Sequence, residues 1–290
     1  MFKGALTALV TPFRDGEVDA PALRDLIEWQ IQSGIDGLFP CGSTGESATL
    51  SHAEHDNVIR ITIEQTRKRV PVIAGTGSNS TAEAIRLTAA AREMGADGAV
   101  LLSPYYNKPT QDGIFRHYKT IAASVDLPLF VYNIPGRTAS NIAPETFVRL
   151  SEIKNIVGIK EASASMDQSS DIIKMCGERI TILSGDDALT LPLIALGAKG
   201  VIATCSNIVP REMHDLAAAA IAGDFAKARE IHFRLIPLMR ALFVETNPIP
   251  AKQALAFMGK CANELRLPLV PMTPGPAEKL RAAMKELRLI

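Results

Sequence analysis

Eight short apolar runs, spaced along the first two hundred or so residues, constrain this chain more than any other feature. They are Ala5–Val10, Gly37–Pro40, Val70–Ala74, Ala99–Leu102, Leu127–Tyr132, Ile156–Ile159, Ile180–Leu183 and Gly200–Ala203. Each is rich in branched residues and too short for a helix, so each reads as a strand buried on both faces. Between most of them lies a stretch with apolar residues at three- and four-residue spacing, as in Pro21–Ser33 (Leu23, Leu26, Ile27, Ile31), Ala53–Arg67, Thr81–Met94 and Gln111–Ser124. That spacing is the signature of an amphipathic helix. Ser51 with Glu54, and Ser80 with Glu83, each fit a capping box at a helix start.

Strand–helix alternation means parallel pairing with right-handed crossovers. Eight such units in about 220 residues fit a closed (β/α)8 TIM barrel rather than an open doubly wound sheet. Gly75-Thr76-Gly77-Ser78-Asn79-Ser80 starts like a dinucleotide-binding loop but lacks its final glycine, and there is no P-loop. After Asn207 the pattern is purely helical, over Arg211–Ala222, Asp224–Phe243, Ile249–Met258 and Ala277–Leu287, with breaks at Asn247-Pro248-Ile249-Pro250 and Pro268–Pro276. The expected organisation is a catalytic barrel over residues 1–223 and a small all-helical appendage over 224–290.

Composition narrows the function. Of 290 residues, 47% are hydrophobic, enough for a large core. Lys plus Arg and Asp plus Glu both number 31, so no global field draws the chain to nucleic acid or an anionic membrane. No run approaches a membrane span, and the N-terminal residues lack the apolar stretch of a signal peptide. Cys41, Cys176, Cys205 and Cys261 form no Cys-x-x-Cys pair, which points to reduced thiols and a cytoplasmic protein. None of the five histidines stands at a strand end. Neither a zinc site nor a Ser–His–Asp triad is therefore expected, and no cofactor is called for.

In a barrel of this kind the chemistry lies where the strands end. The sixth run closes on Lys160, where burial disfavours an ammonium ion and tends to leave a neutral, nucleophilic amine. The alternative is a lysine that snorkels to solvent. Its neighbours at other strand ends are Gly42-Ser43-Thr44-Gly45-Glu46, whose backbone N–H groups suit a carboxylate or phosphate, Tyr105-Tyr106, Tyr132 and Arg137. Asp186 and Asp187 read as caps of the following helix.

Four segments together carry a resemblance: Gly42-Ser43-Thr44-Gly45-Glu46, Tyr132-Asn133-Ile134-Pro135-Gly136-Arg137-Thr138, Gly158-Ile159-Lys160-Glu161-Ala162 and Asn247-Pro248-Ile249-Pro250. The chain resembles the dihydrodipicolinate synthase family, class I aldolases related to N-acetylneuraminate lyase, from Phe2 to its C-terminus. The resemblance implies that Lys160 forms a Schiff base with pyruvate, whose enamine then adds to L-aspartate 4-semialdehyde on the route to diaminopimelate and lysine. It implies a proton relay of Tyr132, Thr44 and Tyr106, with Tyr106 supplied by a neighbouring subunit of a homotetramer. Ser43 and Thr44 would hold the pyruvate carboxylate, Arg137 the semialdehyde carboxylate, and Gly185 and Ile202 would line the site. Inhibition by L-lysine would involve Ser47, Ala48, His52, His55, Asn79, Glu83 and Tyr105. A retro-aldolase of sugar keto acids and a non-catalytic ligand-sensing barrel are the alternatives. The charge of Arg137 disfavours the first, and retention of both Lys160 and Tyr132 the second. Ser43 and the Phe39-Pro40-Cys41 lead-in depart from the family pattern.

Overall fold

The computed structural model describes residues 2–290. Its main sheet has eight parallel strands, labelled here β1 (Gly4–Ala8), β2 (Gly37–Phe39), β3 (Ile73–Gly75), β4 (Gly98–Leu102), β5 (Leu129–Asn133), β6 (Ile156–Glu161), β7 (Thr181–Ser184) and β8 (Gly200–Ala203). The hydrogen-bonded order is β2-β1-β8-β7-β6-β5-β4-β3, and a bridge from Leu38 to Val72 closes the ring. This is the expected TIM barrel. β3 begins later than its apolar run because Pro71 has no N–H to contribute to a ladder. A small hairpin, Phe13–Arg14 with Glu17–Val18, was not legible from periodicity, since two residues per strand show none.

Period-two alternation divides the strands between two cores. Leu6, Phe39, Ile73, Val100, Phe130, Tyr132, Leu183 and Ile202 face the barrel interior. Their neighbours along each strand, such as Leu38, Leu129, Val131 and Val201, pack outward against the helices. Phe2 meets Phe130 edge-on, with ring centroids 5.3 Å apart, and fills the barrel floor. Gly158 makes room for that ring: a Cβ there would lie 2.2 Å from the Phe130 ring. Two residues further along β6, on the same inward face, stands Lys160.

The expected helices around the barrel fall within one or two residues of their spans, for example Ala20–Gln32, His52–Thr66, Thr81–Met94 and Gln111–Ser124, while the last, Pro274–Glu286, starts three residues before Ala277. Ser51 and Glu54 form the full capping box. At Ser80 only half of the expected box exists. Ser80 accepts the Glu83 N–H, but the Glu83 carboxylate turns away to Ser78 Oγ and His52 Nε2. Pro210–Ile221 packs beside β1 as the last helix around the barrel, and Phe225–Ala241, Ile249–Phe257 and Pro274–Glu286 follow. No helix among the described residues is long and apolar enough to cross a membrane.

Candidate active site

The register of the sheet brings Tyr132 and Lys160 together. Tyr132 on β5 is the direct partner of Lys160 on β6, so both side chains enter the lumen at one height. Lys160 is 4% exposed, and its Nζ lies 4.1 Å from the centroid of the Tyr132 ring and 4.8 Å from that of Phe39. Burial brings its pKa down to about 7, against a partial pull upward from Asp187 and a further push downward from Arg137. An amine in that range supplies a large neutral fraction near pH 7. The snorkelling alternative fails, since this side chain is enclosed by aromatic rings. Burial also raises the Tyr132 pKa, which keeps its phenol protonated and able to donate. Gly185, at the end of β7, closes the space beside the amine: a Cβ there would meet Lys160 Cε at 3.1 Å.

Asp187 is the residue that sequence reasoning misplaced. Asp186 does not cap the helix Thr190–Leu196, whose N-cap is Leu189; it accepts the Ala188 N–H at 2.9 Å in the turn before it. Asp187 instead is 2% exposed and accepts the N–H groups of Thr204 at 3.0 Å and Cys205 at 2.7 Å, beyond the end of β8. Burial lifts its pKa to about 7, while those two N–H bonds and Lys160 oppose the rise. The only sequence signal was a second acid beside Asp186, and its partners arrive from another strand.

The loop after β2 forms the other wall. Gly45 N–H donates to Gly42 O at 3.1 Å, Glu46 N–H to Ser43 O at 3.2 Å and Ser47 N–H to Gly42 O at 3.4 Å. The N–H groups of Ser43 and Thr44 have no acceptor among the described residues, which leaves them free for an anion. Thr44 Oγ1 accepts Asn247 Nδ2 at 2.9 Å and lies 3.5 Å from Thr204 Oγ1. Arg137 stands at the rim, its Nη2 donating to Asn247 O at 2.8 Å. One asparagine of the helical C-terminal region thus touches both the Thr44 loop and the arginine.

A cavity of about 430 Å³ opens here, lined at its inner end by Phe39, Ser43, Tyr132, Arg137 and Asn247. The same cavity continues outward to Ser47, Ala48, His52, His55, Glu83 and Tyr105. Ile202 is inside the barrel, packed in the cluster that holds Tyr132 and Phe39. Two expected residues are not brought in. Asn79 lies outside the cavity, its carbonyl accepting Asn107 Nδ2 at 3.0 Å. Tyr106 is 89% exposed, with φ of 70°, and does not line the cavity from within its own chain.

The arrangement joins a buried amine, a phenol, unpaired N–H groups and an arginine at one barrel mouth. The model of the dihydrodipicolinate synthetase family matches residues 1–287. The chain belongs to that family. It is 59% identical, over the full length of both chains, to the 4-hydroxy-tetrahydrodipicolinate synthase of Syntrophus aciditrophicus. Among solved structures of the family, it is similar to the chloride-inhibited dihydrodipicolinate synthase of Acinetobacter baumannii complexed with pyruvate. The TM-score there is 0.99 and the identity 45%, with 100% of each chain covered. It is also similar to the Cyanidioschyzon merolae enzyme with lysine bound, at TM-score 0.97 and 41% identity, covering 100% of this chain and 99% of that one.

Proposed function

We propose that this chain condenses pyruvate with L-aspartate 4-semialdehyde to 4-hydroxy-tetrahydrodipicolinate, as a Schiff-base lyase of lysine and diaminopimelate biosynthesis. The observation that carries the reading is Lys160, buried without a counter-ion in contact and held against Tyr132, with a pKa near 7. Its neutral amine adds to the pyruvate ketone, and loss of water gives the imine. Loss of a methyl proton gives the enamine, whose carbon attacks the aldehyde. The amino group of the semialdehyde then displaces Lys160 from the imine carbon, which closes the ring and frees the enzyme.

Tyr132 is placed to carry protons to and from the imine nitrogen. The free N–H groups of Ser43 and Thr44 hold the pyruvate carboxylate, and Arg137 holds that of the semialdehyde through a charge-assisted fork. A sugar keto acid would bring a hydroxyl chain to Arg137 where a carboxylate suits it better. The exposed Tyr106 completes the relay across a subunit contact, which makes a homotetramer the working form, in the cytoplasm. We retain the division into a catalytic barrel over 1–223 and a helical region over 224–290.

L-Lysine is the proposed inhibitor, bound in the outer part of the cavity. Glu83, held ionised by Ser78 and His52, faces it with a negative charge for an ammonium group. Buried His55, whose Nε2 lies 2.9 Å from Gly75 O, stays neutral. The test is the initial rate with pyruvate and L-aspartate 4-semialdehyde, with and without millimolar L-lysine. Rapid turnover, lowered by lysine, is expected. No turnover of this pair would sink the substrate assignment, and turnover indifferent to lysine would remove the inhibitor site alone.

A further inference from the structure

Behind the loop that presents Ser43 and Thr44, two more ionisable side chains are sealed from solvent. Lys252, on the helix Ile249–Phe257, places Nζ 2.5 Å from Glu46 Oε1, and the two side chains are 0% and 1% exposed. The same Nζ donates to the Glu264 carbonyl at 2.8 Å and lies 3.9 Å from the centroid of the Phe13 ring. Glu46 Oε2 accepts the Arg266 N–H at 3.3 Å.

A pair so deeply buried is a poor source of stability. Desolvation consumes most of the attraction, and apolar replacements of such pairs are often neutral or stabilising. Glu46 also carries a left-handed backbone, with φ of 53°, which residues other than glycine adopt at a cost. Strain and desolvation meeting at one residue point to something being held in place. What hangs on Glu46 is the loop itself. Its N–H closes onto Ser43 O, the next N–H closes onto Gly42 O, and Thr11 Oγ1 pins Gly45 O at 2.7 Å. The helical C-terminal region grips the far end of the turn whose near end offers the two unpaired N–H groups.

We propose that the Glu46–Lys252 ion pair is a positioning device that holds the Ser43 and Thr44 N–H groups ready for the carboxylate of the keto acid. The inference rests on the functional reading above, in which those groups bind pyruvate. Donors fixed before the ligand arrives spare the cost of ordering them on binding. The pair therefore acts on pyruvate affinity and not on the chemistry at Lys160.

The experiment is borohydride trapping of pyruvate on Lys160 across a range of pyruvate concentrations, together with kcat and thermal unfolding. The proteins are the wild type, Glu46→Gln and the double variant Glu46→Gln/Lys252→Met, which removes both buried charges at similar volume. In the double variant a Tm close to that of the wild type, half-saturating pyruvate raised about tenfold and kcat within about threefold are expected. A wild type that traps no pyruvate would fail the functional reading itself. Variants that trap it at wild-type concentrations, whatever their Tm, would overturn the positioning role alone. Amide exchange on the wild-type protein tests the same point if a variant does not fold. The Gly45–Ser47 amides of the ligand-free chain should exchange as slowly as those of the barrel strands. Rapid exchange that slows only when pyruvate is added would overturn the proposal.

Discussion

Lys160 and Lys252 are both withdrawn from solvent, at 4% and 0% exposure, yet only Lys252 has a carboxylate in contact. The Lys160 Nζ lies over the rings of Tyr132 and Phe39, and Asp187 acts on it as a charge without forming an ion pair. Burial lowers both pKa values, but Glu46 pulls that of Lys252 back upward through contact and charge together. The same side chain becomes a nucleophile where a counter-ion is withheld and a structural cation where one is supplied. Aromatic walls alone do not decide which, because Lys252 also lies over a ring, that of Phe13.

The largest effect should come from removing the unpaired lysine. Lys160→Ala should lower kcat/KM for pyruvate by about a thousandfold or more and abolish borohydride trapping, because the other buried lysine among the described residues, Lys252, is paired with Glu46. Its Tm should not fall, since an uncompensated buried amine costs stability. Retained trapping would move the nucleophile elsewhere. Lys252→Met should do the reverse. Stranding the Glu46 carboxylate should cost about 3–5 kcal/mol in denaturant unfolding, and a midpoint near that of the wild type would show that Glu46 has relaxed to solvent.

A third test reads the acid limb of the pH profile. The reactive form of Lys160 is the neutral amine, and its pKa is about 7. kcat/KM for pyruvate should therefore rise with pH up to about 7 and level off above, being about a hundredfold lower at pH 5 than on the plateau. A limb near the ordinary lysine value of 10.5 would mean that Lys160 is not desolvated in solution. The smallest effect separates contact from distance. Asp187 raises the Lys160 pKa, so Asp187→Asn should move that limb to lower pH. An unmoved limb would mean that Asp187 is already protonated at working pH, which its own pKa of about 7 makes the alternative to exclude.

Much of this was legible in the chain. Apolar runs separated by amphipathic stretches announced all eight barrel strands, because burial on both faces leaves few polar residues in a strand. Strand ends then pointed to Lys160, Tyr132, Arg137 and the Ser43–Thr44 loop, because in a barrel those ends share one mouth. The hairpin at Phe13–Val18 was missed for want of length. Asp187 was misread because a helix cap is a local contact, whereas Thr204 and Cys205 are supplied by a separate strand. Tyr106 shows the opposite limit: its place in the sequence is clear, but its own chain leaves it 89% exposed.

The order of strands and helices, and the kinds of residue at the mouth, were settled by local pattern, since alternation and helical spacing are properties of neighbouring residues. Which buried lysine is paired was not. Glu46 and Lys252 are joined only when the C-terminal helices fold back over the loop, as are Asn247 and Thr44, 203 residues apart in the chain. A pKa depends on what surrounds a group in space. Only the closed tertiary structure could leave Lys160 among aromatic rings and give Lys252 its carboxylate.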